Sequence, residues 1–91
     1  MTPAVAGPMT VRVTVADAWQ TFALEAGLGE SAASLKLRAL ASARIDASRA
    51  ALYEMKLGGA LVRDESRPLA GLGVRTGASL VVLSRRRRPV R

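Results

Sequence analysis

The sequence predicts an α+β domain in which one helix lies across one face of a mixed sheet of four to five strands. Two alternating apolar runs joined by a short turn predict a hairpin, and one Ala-, Leu-, Lys- and Arg-rich run predicts the helix. The stretch 69–83 is a tight, glycine-punctuated turn that leads into an uncharged aliphatic strand. Because such a turn must deliver that strand to a sheet, we expect the order strand, strand, helix, strand, short strand, strand.

The composition argues against an enzyme. The chain has 91 residues, enough for one domain with a single core and little room for a cleft. It contains no cysteine and no histidine, which removes thiol chemistry and the commonest general base and metal ligand. The serines therefore lack a partner for nucleophilic activation, and the adjacent Asp64 and Glu65 belong to a charged loop. We expect no enzymatic activity, no cofactor, no metal site and no small-molecule substrate.

The two ends of the chain differ in character from its middle. Residues 1–8, small and containing proline and glycine, are predicted to be a flexible leader. Residues 9–84 are the predicted domain, and residues 85–91 are a predicted basic, disordered tail. No apolar run approaches the roughly 20 residues of a membrane span, and the start of the chain lacks the pattern of a secretion signal. We therefore expect a cytoplasmic protein.

The first two strands are predicted from strict alternation. Residues 10–16 and 21–26 each place apolar side chains at every second position, as half-buried strands do. The turn between them, 17–20, contains Trp19, the only tryptophan. Trp19 either folds back over the sheet edge or is an exposed contact residue, since tryptophan is enriched among interface hot spots.

The run 31–43 is the predicted helix. Its residues are good helix formers, and Ser31 is positioned as the N-cap. Lys36 and Arg38 are expected to point toward solvent. Three- and four-residue spacing predicts a buried stripe, flanked by Leu35, that consists of Ala33, Leu37, Leu40 and Ala41.

A third strand, a tight turn and a short fourth strand follow. Residues 51–57 alternate, with Tyr53 and Met55 expected in the core. Gly58-Gly59 predicts a two-residue hairpin turn into residues 60–62. The last strand, 79–83, is expected at the centre of the sheet and parallel to the first strand, because it contains no charge.

With these elements in place, the sequence resembles a ubiquitin-like β-grasp domain over about residues 9–84. Within that family, the general character resembles the small, non-conjugated ubiquitin-like proteins of bacterial type VII secretion systems (YukD-like). The resemblance implies a β-grasp fold, which hosts many functions. The stretches on which it rests are Met9-Thr-Val-Arg-Val, the capped helix with Leu37 and Leu40, Lys56-Leu-Gly-Gly-Ala-Leu and, most specifically, Leu69-Ala-Gly-Leu-Gly-Val-Arg-Thr-Gly-Ala-Ser-Leu.

The resemblance implies a non-enzymatic adaptor that docks on a larger protein assembly through the open face of its sheet. It implies Arg12, Lys56, Val81 and Leu83 as partner-binding residues. Conjugation and sulfur transfer in this family require a C-terminal Gly-Gly, whereas here the last strand runs into arginines. We therefore expect neither a protein modifier nor a sulfur carrier. From the alternation of the strands, the residues of the open face are Arg12, Thr14, Thr21, Ala23, Glu54, Lys56, Val81 and Leu83.

The positive charge is concentrated in the predicted tail and leaves a second function open. Of the net charge of +7, residues 1–84 contribute only +2. The tail is a solubilising segment, an attachment to nucleic acid, or an attachment to an anionic membrane or acidic protein. Because no aromatic residue interleaves with the arginines, nucleic-acid binding would be independent of sequence. The alternative function is therefore a small basic nucleic-acid-binding protein that acts through Arg85, Arg86, Arg87, Arg88 and Arg91.

Overall fold

The computed structural model of the protein describes residues 9–27 and 29–85. The predicted leader, 1–8, and the predicted tail beyond Arg85 lie outside the described residues. Short 3₁₀ turns span Ala16–Ala18, Ala47–Leu52 and Leu69–Leu72. The main elements are β1 (Met9–Val15), β2 (Gln20–Ala26), α1 (Ala32–Ser42), β3 (Tyr53–Leu57), β4 (Ala60–Leu61) and β5 (Ser79–Ser84).

The five strands form one mixed sheet in the order β2-β1-β5-β3-β4. β1 and β5 are parallel, and the other neighbours are antiparallel. β5 therefore has a partner strand on both sides, and Leu80 and Val82 are fully buried in the core. The α+β fold and the central position of the last strand are both confirmed, since an uncharged aliphatic strand tolerates burial between two neighbours.

The helix has the predicted N-cap but buries a different face. Ser31 Oγ accepts a hydrogen bond from the N–H of Ser34 at 3.1 Å. The predicted stripe is wrong except for Leu40, because Leu37 is 39% exposed and Ala41 is exposed. The error follows from Lys36, which is buried although a lysine is expected to point toward solvent. The residues that α1 buries are Ala32, Leu35, Lys36, Ala39 and Leu40.

The segment 64–69 holds the N-terminal end of α1. The N–H of Ala32 donates to the carbonyl of Arg67 at 3.1 Å, and the N–H of Ala33 donates to the carbonyl of Glu65 at 2.8 Å. Amides in the first helical turn have no acceptor within the helix, so the loop and the cap together satisfy them. In return, the N–H of the fully buried Leu69 donates to the carbonyl of Glu30 at 2.8 Å. The loop and the helix start are thus one unit.

Glycines allow the two tight turns that place β4 and β5. The β3–β4 hairpin is the predicted Gly58-Gly59 turn, with φ angles of 59° and 87°. Gly73 ends the 3₁₀ turn in the left-handed region, with φ 82°. Gly71, another glycine of the stretch 69–83, lies inside that 3₁₀ turn and has no positive φ.

Candidate functional site

One face of the sheet is left uncovered by α1, and the register shows which side chains share it. Residues directly opposite each other on neighbouring strands project to the same side. Val81 lies between Thr14 of β1 and Lys56 of β3, and Leu83 lies opposite Glu54. We call this surface the open face and define it by Arg12, Thr14, Thr21, Ala23, Glu54, Lys56, Leu61, Val81 and Leu83.

The structure brings three of the four predicted contact residues together. Val81 and Leu83 are half-buried on the central strand, and Lys56 is the direct neighbour of Val81 on β3. Arg12 shares the face but lies opposite Ser79, two residues along β5 from Val81. The open face therefore has an apolar centre with one basic side chain beside it and another toward one end.

Trp19 extends the apolar centre at the opposite end from Arg12. It follows the Ala16–Ala18 turn in the left-handed conformation, with φ 51° and ψ 40°, and its side chain is 87% exposed. It lines a shallow depression together with Leu83 and Glu54. The structure thus shows the exposed alternative for Trp19, next to Leu83. Whether Trp19 contacts a partner stays a prediction.

Hydrogen bonds from two strands fix the turn that presents Trp19. The side chain of Asp17 accepts from the hydroxyl of Tyr53 at 3.1 Å and from that of Ser84 at 3.4 Å. Burial, and then the hydrogen bond and charge of Asp17, raise the pKa of Tyr53 above its ordinary value of 10.0. The hydroxyl is therefore a protonated donor at neutral pH, which ties the turn to β3 and β5.

The basic groups of the open face lack acidic partners within the described part of the chain. Neither Arg12 nor Lys56 forms an ion pair there, whereas Glu54 lies 4.0 Å from Arg85. Arg85, the first residue of the predicted tail, donates its Nε to the carbonyl of Ala51 at 3.1 Å. The remaining tail residues predicted to act electrostatically, Arg86, Arg87, Arg88 and Arg91, lie outside the described residues.

Leu61 is a member of the open face that the sequence reasoning missed. It is 42% exposed and pairs with Lys56 across the β3–β4 hairpin. A signal for it exists, because a two-residue turn at Gly58-Gly59 pairs 57 with 60 and then 56 with 61. Cross-strand partners share a face, so Leu61 had to lie beside Lys56.

The arrangement of the open face offers a contact surface. Across residues 9–27 and 29–85, no group of acidic side chains could hold a metal ion. The backbone and hydroxyl of Ser66 donate to Asp64, and these hydrogen bonds lower the pKa of Asp64, so this carboxylate stabilises its own turn. In the same described part of the chain, no helix has the length and apolar character needed to span a bilayer.

Solved structures with the ubiquitin-like fold superimpose on this chain. The ubiquitin-like domain of an Arabidopsis thaliana protein gives a TM-score of 0.73 at 18% identity, covering 99% of this chain and 90% of that one. The ubiquitin of Caldiarchaeum subterraneum gives 0.73 at 17% identity, covering 88% and 96%. A designed protein based on ubiquitin gives 0.74 at 10% identity, covering 90% and 94%. The chain therefore has the ubiquitin-like β-grasp fold, as predicted.

Sequence comparison adds no family beyond this fold. No protein-family model and no curated protein matches the chain. Identities of 10–18% to solved structures show the fold alone, and one fold hosts many functions. The resemblance to YukD-like proteins stays a prediction, and function has to be argued from the open face.

Proposed function

We propose that this chain is a non-enzymatic protein-interaction module that binds a larger assembly through its open face and Trp19. The observation that supports this most directly is the position of an 87%-exposed tryptophan beside Leu83, on a sheet face that α1 leaves uncovered. Tryptophan is enriched among the few residues that contribute most of the free energy of binding, and the contacts around such a residue exclude water from it. Leu61 enlarges the apolar area on the far side of Lys56.

The charges around the apolar centre define the chemistry of the partner. Arg12 and Lys56 have no ion-pair partner among the described residues, so a complementary surface can pair with them. Electrostatic complementarity raises association rates and excludes wrong partners more than it raises affinity. The proposed partner therefore presents an apolar patch flanked by carboxylates.

A finer version of the proposal makes the partner a component of a bacterial type VII-like secretion system, with this chain acting in the cytoplasm. The sequence resemblance to YukD-like proteins is what supports it. Co-purification of such a component with the wild-type chain, and its loss with Trp19→Ala, would agree with this version. Recovery of a partner from another kind of assembly would contradict it and leave the open-face proposal standing.

The open-face proposal is tested by paired substitutions with a matched control. We expect two variants to weaken partner binding by about tenfold or more each, as loss of a hot spot does. One is Trp19→Ala, and the other combines Val81→Ser with Leu83→Ser. Leu37→Ser is the control, because Leu37 is an exposed leucine on α1, on the other side of the sheet from the open face. Circular dichroism must show that all variants remain folded. Unchanged binding by both open-face variants would remove this surface from consideration.

The same assay identifies the alternative function. Binding to nucleic acid through the predicted tail would be lost on replacing Arg86, Arg87 and Arg88 by serine and would be insensitive to Trp19→Ala. It would also fall steeply with salt, because each neutralised phosphate releases a counterion. That pattern would replace the protein-interaction proposal with the nucleic-acid alternative.

A further inference from the structure

The outer edge of β2 directs backbone groups away from the sheet. Residue pairs of antiparallel strands alternate between those that exchange backbone hydrogen bonds and those that do not. The N–H of Arg12 donates to Ala78 at 2.8 Å, and the carbonyl of Thr10 accepts from Gly77 at 2.7 Å, so both β1 residues bond on the β5 side. Their partners across the hairpin, Ala23 and Glu25, therefore direct N–H and C=O outward.

Among the described residues, this edge has one charged side chain, Glu25, and a single side-chain hydrogen bond over it, and it otherwise lacks the usual devices that prevent strand pairing. By the same alternation, the backbone N–H and C=O of Thr21 also point outward. Among the described residues, one hydrogen bond reaches the outward backbone groups of Thr21, Ala23 and Glu25: Arg38 Nη2 donates to the carbonyl of Glu25. The pairing of β1 with β2 is uninterrupted over seven residues, and β2 contains no proline and no lysine. The opposite edge, β4, is by contrast only two residues long.

We propose that this edge pairs antiparallel with the same edge of a second copy of the chain, with the two-fold axis at Ala23. Ala23 then faces its counterpart, and Thr21 faces Glu25 of the second copy, so no like charges are directly opposed. Three outward-facing pairs exchange about six backbone hydrogen bonds. A carbonyl accepts two hydrogen bonds, so the bond from Arg38 to Glu25 is retained.

The side chains on the helix side of β2 are complementary in the same register. Phe22 and Leu24 are half-buried at the sheet edge and pack against the core. With the axis at Ala23, Phe22 of one copy lies opposite Leu24 of the other. Aromatic and aliphatic residues are favourable cross-strand partners, and pairing covers the apolar surface that each copy leaves exposed.

The position of Ala23 on the axis gives a charge test that is specific for self-pairing. Its side chain is exposed, so charged replacements need no burial in the folded chain. Ala23→Lys and Ala23→Glu each place two like-charged side chains, with Cβ atoms about 5 Å apart, across the axis, which should lower the dimer association constant by about fourfold or more at low salt. An equimolar mixture of the two variants should associate at least about tenfold more tightly than either alone. Ala23→Ser is the matched control and should dimerise like the wild type.

Sedimentation equilibrium of the full chain, from micromolar to millimolar concentration, measures these constants. A wild-type chain that stays monomeric throughout overturns the proposal, as does a dimer that Ala23→Lys leaves unchanged. A mixture of the two charged variants that fails to recover association overturns the register. If the chain stays monomeric and binds an extended peptide of unrelated sequence at this edge, the proposal that the edge pairs with a second copy is overturned. Because the readout is self-association, failure here does not affect the open-face proposal.

Discussion

Replacing Glu65 should destabilise the protein more than replacing Lys36, although the two side chains form one ion pair. Lys36 is 5% exposed, and its Nζ donates to Glu65 Oε1 at 2.6 Å and to the backbone carbonyl of Tyr53 at 3.0 Å. The side chain of Glu65 remains 18% exposed. Removing Glu65 leaves an ammonium group buried without a counter-charge, whereas removing Lys36 leaves a carboxylate that water can reach.

The reason for a buried lysine lies in the short fourth strand. The last hydrogen bond between the β4 side and β3 runs from the N–H of Val62 to the carbonyl of Met55 at 2.9 Å. The carbonyl of Tyr53 lies two residues further along the same edge, beyond the reach of β4. Lys36 supplies the donor that this buried carbonyl would otherwise lack, and Glu65 supplies the charge that Lys36 then needs.

The magnitudes follow from these contacts. Removing one partner of a fully buried pair costs about 3–5 kcal/mol, and the partial exposure of Glu65 reduces this to about 2–3 kcal/mol for Glu65→Ala. Lys36→Met keeps the apolar stem and removes the buried charge, but it leaves the Tyr53 carbonyl without its donor, at a cost of about 1 kcal/mol. The variant with both substitutions should have the same free energy of unfolding as Lys36→Met alone. This equality corresponds to a coupling free energy of about 2 kcal/mol between the two side chains.

Urea unfolding followed by circular dichroism measures these free energies of unfolding. For a chain of this size, Glu65→Ala should lower Tm by about 10–20 °C. Glu54→Ala is the control, because Glu54 pairs with the exposed Arg85 at 4.0 Å and should change stability by no more than about 0.5 kcal/mol. If Glu65→Ala costs less than Lys36→Met, or if the double variant is additive, the argument from the buried ammonium is refuted.

Three further predictions concern capping and pH. Ser31→Ala should cost about 1 kcal/mol in urea unfolding, and Ser31→Asp should restore most of it, because either oxygen accepts the Ser34 amide. Partial burial raises the pKa of Glu30, but the hydrogen bonds from Arg38 and Ser34 outweigh it and lower the pKa below 4.5. The stability from Glu30 is thus present above pH 4.5 and lost as pH falls through the lowered value, and Glu30→Gln should flatten that part of the stability profile. Because the pKa of Tyr53 is raised, its contribution to the free energy of unfolding is complete below pH 10.0 and is lost as pH rises through the raised pKa. An absorbance titration of Tyr53, the only tyrosine, should show the raised pKa directly.

The order and pairing of the strands could be predicted because local patterns determine them. Alternation identifies the first hairpin, the glycine pair identifies the second, and the absence of charge in 79–83 identifies the central strand. The same logic identified Lys56, Val81 and Leu83 as residues of one face. What the pattern could not give was the register between β1 and β5: Trp19 lies beside Leu83 because Val15, near the end of β1, is opposite Val82.

The buried face of the helix could not be predicted for a different physical reason. A lysine is expected at the surface because burying an ammonium is costly unless it is paired and hydrogen-bonded. Lys36 has both kinds of partner, but they belong to the edge of β3 and to the 64–69 loop, which only the folded chain brings together. With Lys36 assigned to solvent, Leu37 becomes the expected core residue, and the whole stripe moves to the wrong side.

The two surfaces proposed here do not compete, because strand pairing in the plane of the sheet leaves its face uncovered. A two-fold axis at Ala23 is perpendicular to the sheet, so both copies direct their open faces to one side and both helices to the other. A partner assembly with repeated sites would then engage two faces at once, and effective concentration would raise avidity without any new contact. Because Ala23 is itself on the open face, binding to one isolated partner copy is the reference, and relative to it Ala23→Lys should further weaken binding to a surface that presents many partner copies. Trp19→Ala should weaken binding both to one isolated partner copy and to the many-copy surface. The effect on the many-copy surface should be larger, because binding free energy is lost at each of the two open faces.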